Sequence, residues 1–513
     1  MKRLPLDEDI APIRERRIGG VRAYHGSALK LLEEAKSGRM QNYDRAFSGS
    51  WSCSFLYSGV IRIMNAPDIV AVIHSPVGCV THVTSFQSAL ISSTWESPDL
   101  VGYKPRQAAN WYCTNLTQED VIFGGESKLR ETILTIDRMQ HPKSIWVFTS
   151  CSSGIMGDDI EGIVQEIQPK VEAVMVPIHC ESFRSRILNW GADATAQAVM
   201  KYVVREPKQK QENLVNMFAS QNVATEDRLY LQSLLGKMGI KVNSVPVYVN
   251  FESFQMLSEA AASLAVDTTY GDYFIKALKQ QYGVPYVRNP VPFGLAKTEE
   301  WLRKAAHLLG KEKEAEALIK EERAAVEPEI KALREKLKGT RVFVCNEQGK
   351  AYYLPHMLVG DFGMELAGIN PFEFDEECVE SIEELLQLTG NKDFLVNIAD
   401  NQILEMANYI KKLNVDLFLG MRNTNIYMMK HGIQTGNVRG EFHGLRKDIS
   451  LTRGKGQTMG FKGVVAYGDY LVKVLSNPSA TKKLSAHLKL PFKESWYRKD
   501  PATNIVKPVH LEK

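Results

Sequence analysis

A repeating unit constrains the fold more than any other feature: a short β-branched or aromatic run, a turn of small or polar residues, then an amphipathic helical stretch. Such runs occupy positions 69–73, 144–149, 171–177, 245–249, 341–345, 394–398 and 415–419. Their apolar residues are consecutive rather than alternate, as in strands buried on both faces. Strands joined through helices form parallel sheets with crossover connections, so the predicted class is α/β with several Rossmann-like domains. In such sheets ligands gather at the carboxyl ends of the strands, which puts weight on the residues that follow each run.

At 513 residues the chain is too long for a single core. The charged stretch EPKQKQEN at 206–213 reads as one boundary. The segment 297–338, rich in Glu, Lys, Ala and Leu, reads as exposed helices leading into a domain that opens with the run at 341–345. The division expected is an N-terminal arm (1–44), a first domain (45–205), a second with a helical connector (206–335), and a third with the C-terminal segment (336–513). Residues 431–456 are Gly- and Arg-rich and long for a loop, which suggests a functional one.

Basic and acidic residues nearly balance, 63 against 60, so nothing implies nucleic acid or a membrane surface as partner. The first residues have no apolar core of a secretory signal, and no run approaches the roughly 18 apolar residues of a membrane span. A cytoplasmic location is expected. Seven widely spread cysteines in such a chain are ligands or small buried hydrophobes rather than a disulfide framework.

Three cysteines have informative settings. Cys53 lies in SGSWSC, a turn of small residues. Cys79 follows the run at 69–73 through Ser-Pro-Val-Gly, and Cys151 directly follows the run at 144–149. Their neighbours Gly78, Ser150, Ser152, Ser153 and Gly154 are small enough to leave room for a bulky group and to offer amide N–H groups to sulfide. Thiolate is the natural ligand of iron–sulfur iron. The separations between these cysteines match no zinc finger, CxxC pair or ferredoxin run. At this point a ligand and a buried hydrophobe both remain open. No GxxxxGK[ST] occurs, so nucleotide hydrolysis would belong to a partner.

At these residues the chain resembles the nitrogenase component 1 family, and its alpha subunits in particular. The resemblance rests on IHSPVGC (73–79), EDVIFGGESKL (119–129), TSCSSGIMGDDIEGI (149–163), VPIHCESFR (176–184), QQYGVPY (280–286), PFGLAKTEEWL (292–302), FGMELAG (362–368) and MGFKGVVAYGDYL (459–471), which occur in family order. It implies three Rossmann-like domains with parallel sheets. It also implies that Cys53, Cys79 and Cys151 are the alpha-type ligands of an eight-iron P-cluster shared with a beta-type subunit in an α2β2 heterotetramer, with electrons delivered by an ATP-dependent iron protein. Asp158 and Asp159 of the GDDIE turn read as helix N-caps, and Cys113, Cys180 and Cys378 as structural.

The second cluster site departs from nitrogenase. Where nitrogenase alpha chains carry the cofactor cysteine this chain has Asp267, and where they carry the proton-relaying histidine it has Ala192. Leu188 stands for a glutamine, Gln87 for an arginine, Ile61 for the residue gating substrate access, and QGKAYYL (348–354) for a Gly-Gly-x-Arg-Pro-Arg stretch. Cys345 is the candidate replacement ligand of a FeMo-cofactor-like cluster or its heterometal-free precursor, with His443 or His431 opposite; Lys350, Arg439, Arg446 and Arg453 could hold an anion. Losing a proton-donating His and a polar Gln suits a small carbon-containing substrate better than dinitrogen. The resemblance therefore points to a nitrogenase-like reductase such as methylthio-alkane reductase, cleaving carbon–sulfur bonds. The alternatives are a true nitrogenase alpha subunit and a non-catalytic scaffold on which the cofactor is assembled. Tetrapyrrole reductases of the same superfamily, usually shorter, are a fourth possibility.

Overall fold

The computed structural model describes residues 3–12, 17–19, 23–40, 53, 66–81, 111–185, 187, 189–220, 223–246, 249–400, 402–438 and 457–487. Two short N-terminal strands, β1 (Ile18–Gly19) and β2 (Tyr24–Ser27), precede three main sheets. The first sheet contains β3 (Ile69–His74), β4 (Trp111–Cys113), β5 (Ser144–Thr149) and β6 (Val174–Ile178), in the order β4-β3-β5-β6 and parallel throughout. The second contains β7 (Gln211–Ala219), β8 (Lys241–Pro246), β9 (Ala260–Ala265) and β10 (Tyr286–Val287), in the order β10-β9-β7-β8, again all parallel. The third uses β11 (Arg341–Asn346), β12 (Glu365–Pro371), β14 (Leu395–Ile398), β15 (Leu417–Gly420) and β16 (Thr435–Asn437), in the order β16-β15-β11-β12-β14-β2.

The consecutive apolar runs fill a core on each side of their sheet. In β3, Ile69, Ala71 and Ile73 join one hydrophobic cluster while Val70 and Val72 join another. In β5, Trp146 and Phe148 face the first cluster, Ile145 and Val147 the second. Period-two alternation thus divides one apolar run between two layers of helices.

Several elements differ from the sequence-based expectation. The run at 245–249 overlaps only the end of β8, which starts at Lys241. β7 starts inside the stretch expected to be a boundary, with Glu212 and Asn213 exposed and only the part from Leu214 to Ala219 buried. β9, with sequence AAASLA, has a helix former's composition but pairs with β7 and β10, so burial overrides propensity. β12 contains Gly368, where a Cβ would lie 2.6 Å from the Leu395 carbonyl oxygen and 2.7 Å from the Phe343 ring; close strand approach excludes a side chain.

The N-terminal arm divides: residues 4–12 lie against the helix Trp190–Tyr202 and Gln280, and residues 18–19 and 24–36 join the third sheet and its neighbours. β2 pairs antiparallel with β14, β1 pairs with the short strand β13 (Glu373–Phe374), and the helix Ala28–Lys36 contacts the helix Val379–Leu388. The connector expected to be exposed is one-sided. The helix Gly294–Leu309 buries Trp301, Leu302, Ala305 and Ala306. The helix Glu312–Leu337 runs through Pro328 unbroken, buries Leu318, Ile330, Leu333 and Leu337, and packs against the helix Gly460–Ser476. One hydrophobic cluster consequently spans the second and third sheets.

A buried ion network ties Arg17 of the arm to groups beside both of those sheets. Asp272 accepts from Arg17, and from Arg288 and Lys276 at 2.6 and 2.7 Å. Arg288 also reaches Asp375 at 2.6 Å, and Arg17 lies 3.5 Å from Glu373. Removing one member of a buried network leaves its partners charged and unpaired. Asp272→Ala is expected to destabilise the fold by about 3–5 kcal/mol, measured by chemical denaturation of the variant against the parent.

His356 is one acid-sensitive group on this side. Burial pushes its pKa down to about 3, and its Nε2 lies 3.0 Å from Ser381 Oγ. With the folded value below the ordinary one of about 6.5, the unfolded chain binds a proton first as pH falls, so stability declines from about pH 6.5 toward 3. Thermal midpoints across that range should fall more steeply for the parent than for His356→Gln.

Candidate metal centre

In the first sheet the chain passes from β3 to β4 on one side, then returns to the other side of β3 as β5. That reversal opens a crevice between the carboxyl ends of β3 and β5, where ligands bind in open parallel sheets. Cys79 follows β3 and Cys151 opens the helix Cys151–Met156 directly after β5, so both stand at this crevice. Cys53, Cys79 and Cys151 are half-buried. Burial raises the Cys79 thiol pKa, and the charges of Cys53, Cys151 and Cys113 raise it further. Cys180 is raised well above its ordinary value by burial, then by Glu181, Cys53 and Cys151. The structure therefore brings five of the seven cysteines within electrostatic reach at one end of the first sheet.

They differ in setting. Cys180 is fully buried and its Sγ lies 3.4 Å from the Thr149 carbonyl oxygen; Cys113 Sγ lies 3.1 Å from that of Ser75. Cys53 Sγ lies 2.8 Å from the Ser182 hydroxyl. A Cβ at Gly78 would meet nothing within 4 Å, so there is open space beside Cys79. The other small neighbours have local reasons. Ser150 and Ser153 form a capping box, Ser150 Oγ also donates to the His74 carbonyl at 3.0 Å, and Gly154 makes room for Glu181, whose Cγ would be 2.5 Å from a Cβ there.

Around the thiols the surface is apolar. Val77 is 52% exposed, Ile155 77%, Phe183 55% and Phe123 85%, the last on the helix Gln118–Phe123, which contacts the Cys151 helix. Exposed apolar side chains gathered at one site suggest a surface meant to be covered.

Behind the cysteines lies a polar network that the sequence reading missed. His74 is fully buried, and burial lowers its pKa, keeping the ring neutral. Its Nδ1 lies 3.0 Å from Thr114 Oγ1 and its Nε2 donates to Asp158 at 2.7 Å. Asp158 also accepts from the Gly125 amide at 3.1 Å, at the start of the helix Glu126–Gln140. Asp159 is the N-cap of the helix Ile160–Ile167, accepting from Gly162 N at 2.9 Å, whereas Asp158 is no cap. His74, Gly125 and Asp158 come from three separate motifs, so the network locks those motifs together. Their presence in the stretches IHSPVGC, EDVIFGGESKL and TSCSSGIMGDDIEGI was the available signal.

The second sheet repeats the reversal, between β7 and β9. Ser220 follows β7 and Asp267 follows β9, and the Ser220 hydroxyl donates to the Asp267 carboxylate. The position read as a lost cysteine is thus held by a serine across the crevice. Ala192 lines a small cavity with Trp146, Thr195, Pro246, Phe254, Tyr270 and Phe274. Lys350 is buried; its charge partly offsets the burial that pushes Asp227 up to about 6.

Cys345 does not join these groups. Its side chain packs with Phe343, Phe372, Met406, Tyr409 and Phe418, on the face of β11 opposite Val342 and Val344, and burial raises its thiol pKa. Hydrocarbon on that face disfavours the thiolate a cluster needs, so the setting is that of a buried hydrophobe. Cys378 is buried beside Gln348 Nε2 at 2.8 Å. His431 is buried against Tyr427, and burial lowers its pKa to about 4. His443, Arg439, Arg446, Arg453, Ile61, Gln87 and Leu188 lie outside the described residues. Among the described residues no three His, Cys, Asp or Glu side chains stand close enough to hold a single metal ion.

Comparison with known proteins places this geometry. The family model "Nitrogenase component 1 type Oxidoreductase" matches residues 55–475. The chain is 26% identical over 373 residues to the nitrogenase molybdenum-iron protein alpha chain of Methanothermobacter marburgensis, covering 72% of this chain and 77% of that one. It is 25% identical over 388 residues to the nitrogenase iron-molybdenum cofactor biosynthesis protein NifE of Methanococcus maripaludis, covering 74% and 77%. A solved structure titled "Nitrogenase Cp1 at pH 5" superposes with a TM-score of 0.68 at 20% identity, covering 88% of this chain and 92% of that chain, so the two share a fold. The chain belongs to the nitrogenase component 1 type oxidoreductase family.

Proposed function

We propose that this chain is the alpha-type subunit of a nitrogenase-like reductase, in which Cys53, Cys79 and Cys151 hold one half of an iron–sulfur P-cluster and a beta-type partner holds the other. One observation carries the reading: three half-buried cysteines from three motifs lie within electrostatic reach at the crevice of the first sheet, beneath an exposed apolar rim. The donor set suits the group. A cluster of many irons needs thiolates spread wider than one ion would, and the open space at Gly78 leaves room beside one of them. Three ligands on one chain leave the set incomplete, and the apolar rim is the surface a partner would cover.

When bound, the cluster supplies one-electron storage between an ATP-dependent iron protein and the substrate. The chain's own residues shape that role. The His74–Asp158–Gly125 network fixes the segments that carry Cys79 and Cys151, because the first follows His74 directly and the second belongs to the motif of Asp158. The apolar rim excludes water from the thiolates once covered, which strengthens charge interactions there.

For the substrate, Ala192 among Trp146, Phe254 and Phe274 provides an apolar wall where nitrogenase alpha chains carry a proton-donating histidine. This favours a small carbon-containing molecule, and reductive cleavage of methylthio-alkanes is the reaction proposed. Two electrons and two protons break the carbon–sulfur bond, giving an alkane and a thiol. A second reading, a scaffold for cofactor assembly, is favoured by the Ser220–Asp267 contact, which occupies the crevice position of a cofactor thiolate.

The test uses the complex purified anaerobically with its beta-type partner. Cys53→Ala, Cys79→Ala and Cys151→Ala should each lower bound iron and cut turnover by well over the roughly 100-fold that loss of a mere supporting residue costs. Unchanged iron in all three would overturn the site. With iron protein, ATP and a methylthio-alkane, release of alkane and thiol supports the reductase. Ammonia from dinitrogen overturns the substrate, and cluster transfer to a recipient protein without turnover identifies a scaffold.

A further inference from the structure

Ser182 belongs to the VPIHCESFR stretch and lies against Cys53. Its hydroxyl oxygen is 2.8 Å from Cys53 Sγ, yet the two residues are 129 positions apart in sequence. It opens the short helical turn Ser182–Arg184, which follows β6. That turn is fixed from beneath. Glu181 is fully buried, accepts from Arg184 Nη2 at 3.1 Å and lies 3.4 Å from His179 Nδ1. The Glu181 side chain also fills the space above Gly154, on the same helix as Cys151. The turn therefore lies between Cys53 and the Cys151 helix, with Glu181 anchoring it and the Ser182 hydroxyl set against the Cys53 sulfur.

We propose that the Ser182 hydroxyl donates a hydrogen bond to the Cys53 sulfur and thereby tunes the electron affinity of the cluster at that edge. The proposal rests on the reading of Cys53 as a cluster ligand. A hydroxyl has one proton to give, and a thiolate bound to iron is an anionic acceptor for it. Such a bond withdraws electron density from the ligating sulfur, stabilises the reduced cluster and makes it easier to reduce. Ser182 is then a positioning residue acting through Cys53, and it contacts neither substrate nor iron in this role.

Iron per complex and the reduction potential, followed by electron paramagnetic resonance during an anaerobic redox titration of the full complex, separate the possibilities. Ser182→Ala should keep the iron content of the parent and shift the potential to a more negative value. Ser182→Thr, which retains a hydroxyl, should restore it. Parental potential in the alanine variant overturns the proposal, as does a threonine variant that behaves like alanine. Iron loss that threonine fails to rescue assigns Ser182 a purely structural role and overturns it as well. A parent complex without iron instead defeats the cluster reading itself, which keeps the two failures apart.

Discussion

A parallel pair of strands cannot be joined by a tight turn, so each strand in these sheets hands the chain to a crossover that starts at its carboxyl end. Where successive crossovers leave on opposite sides, the loops diverge and a crevice opens between two strand ends. All three sheets reverse in this way: between β3 and β5, between β7 and β9, and between β11 and β15. The rest of the structure depends on this constraint, because it fixes where side chains from distant parts of the sequence can meet without distorting any backbone hydrogen bond.

The first two crevices are filled by different chemistry. In the first, Cys79 and Cys151 flank the opening, and Cys53 is brought to it from outside the sheet. In the second, a serine and an aspartate close on one another across the equivalent gap. A carboxylate satisfied by a neighbouring hydroxyl is a poorer ligand for soft iron than a thiolate, so the same topology gives one crevice suited to a sulfur-bound cluster and one that is not. Family membership sets the architecture of both, while the side chains at the strand ends decide what each can hold.

Much of this was legible in the sequence because the strands concerned are apolar on both faces. The runs at 69–73 and 144–149 became β3 and β5, and their position placed Cys79 and Cys151 at strand ends. What escaped was whatever depends on partners distant in sequence. Asp158 looks like a helix cap beside Asp159, and only the arrival of His74 and Gly125 gives it another task. Cys345 ends one strand-like run and Cys151 follows another, yet one packs in an aromatic cluster and the other stands at a crevice, a difference of side-chain direction that residue type does not carry. β9 was hidden by its alanines, and the arm's strand β2 by pairing with β14 some 370 residues later, as in the His25–Asn397 register.

The electrostatics of the first crevice bear on how a cluster would be acquired. In the chain alone, burial together with neighbouring thiols raises the Cys79 pKa, so its resting form is the protonated thiol. Iron binds the thiolate, and the cations must therefore displace that proton while relieving the repulsion among the sulfurs. Burial and neighbouring thiols disfavour the bare Cys79 thiolate, and metal would stabilise it. Covering the rim of Val77, Phe123, Ile155 and Phe183 would deepen both effects by removing water, so partner docking and metal binding should favour each other. On the proposed reading, a half-site of this kind would hold metal weakly while exposed and tightly once enclosed, coupling completion of the cluster to assembly of the complex.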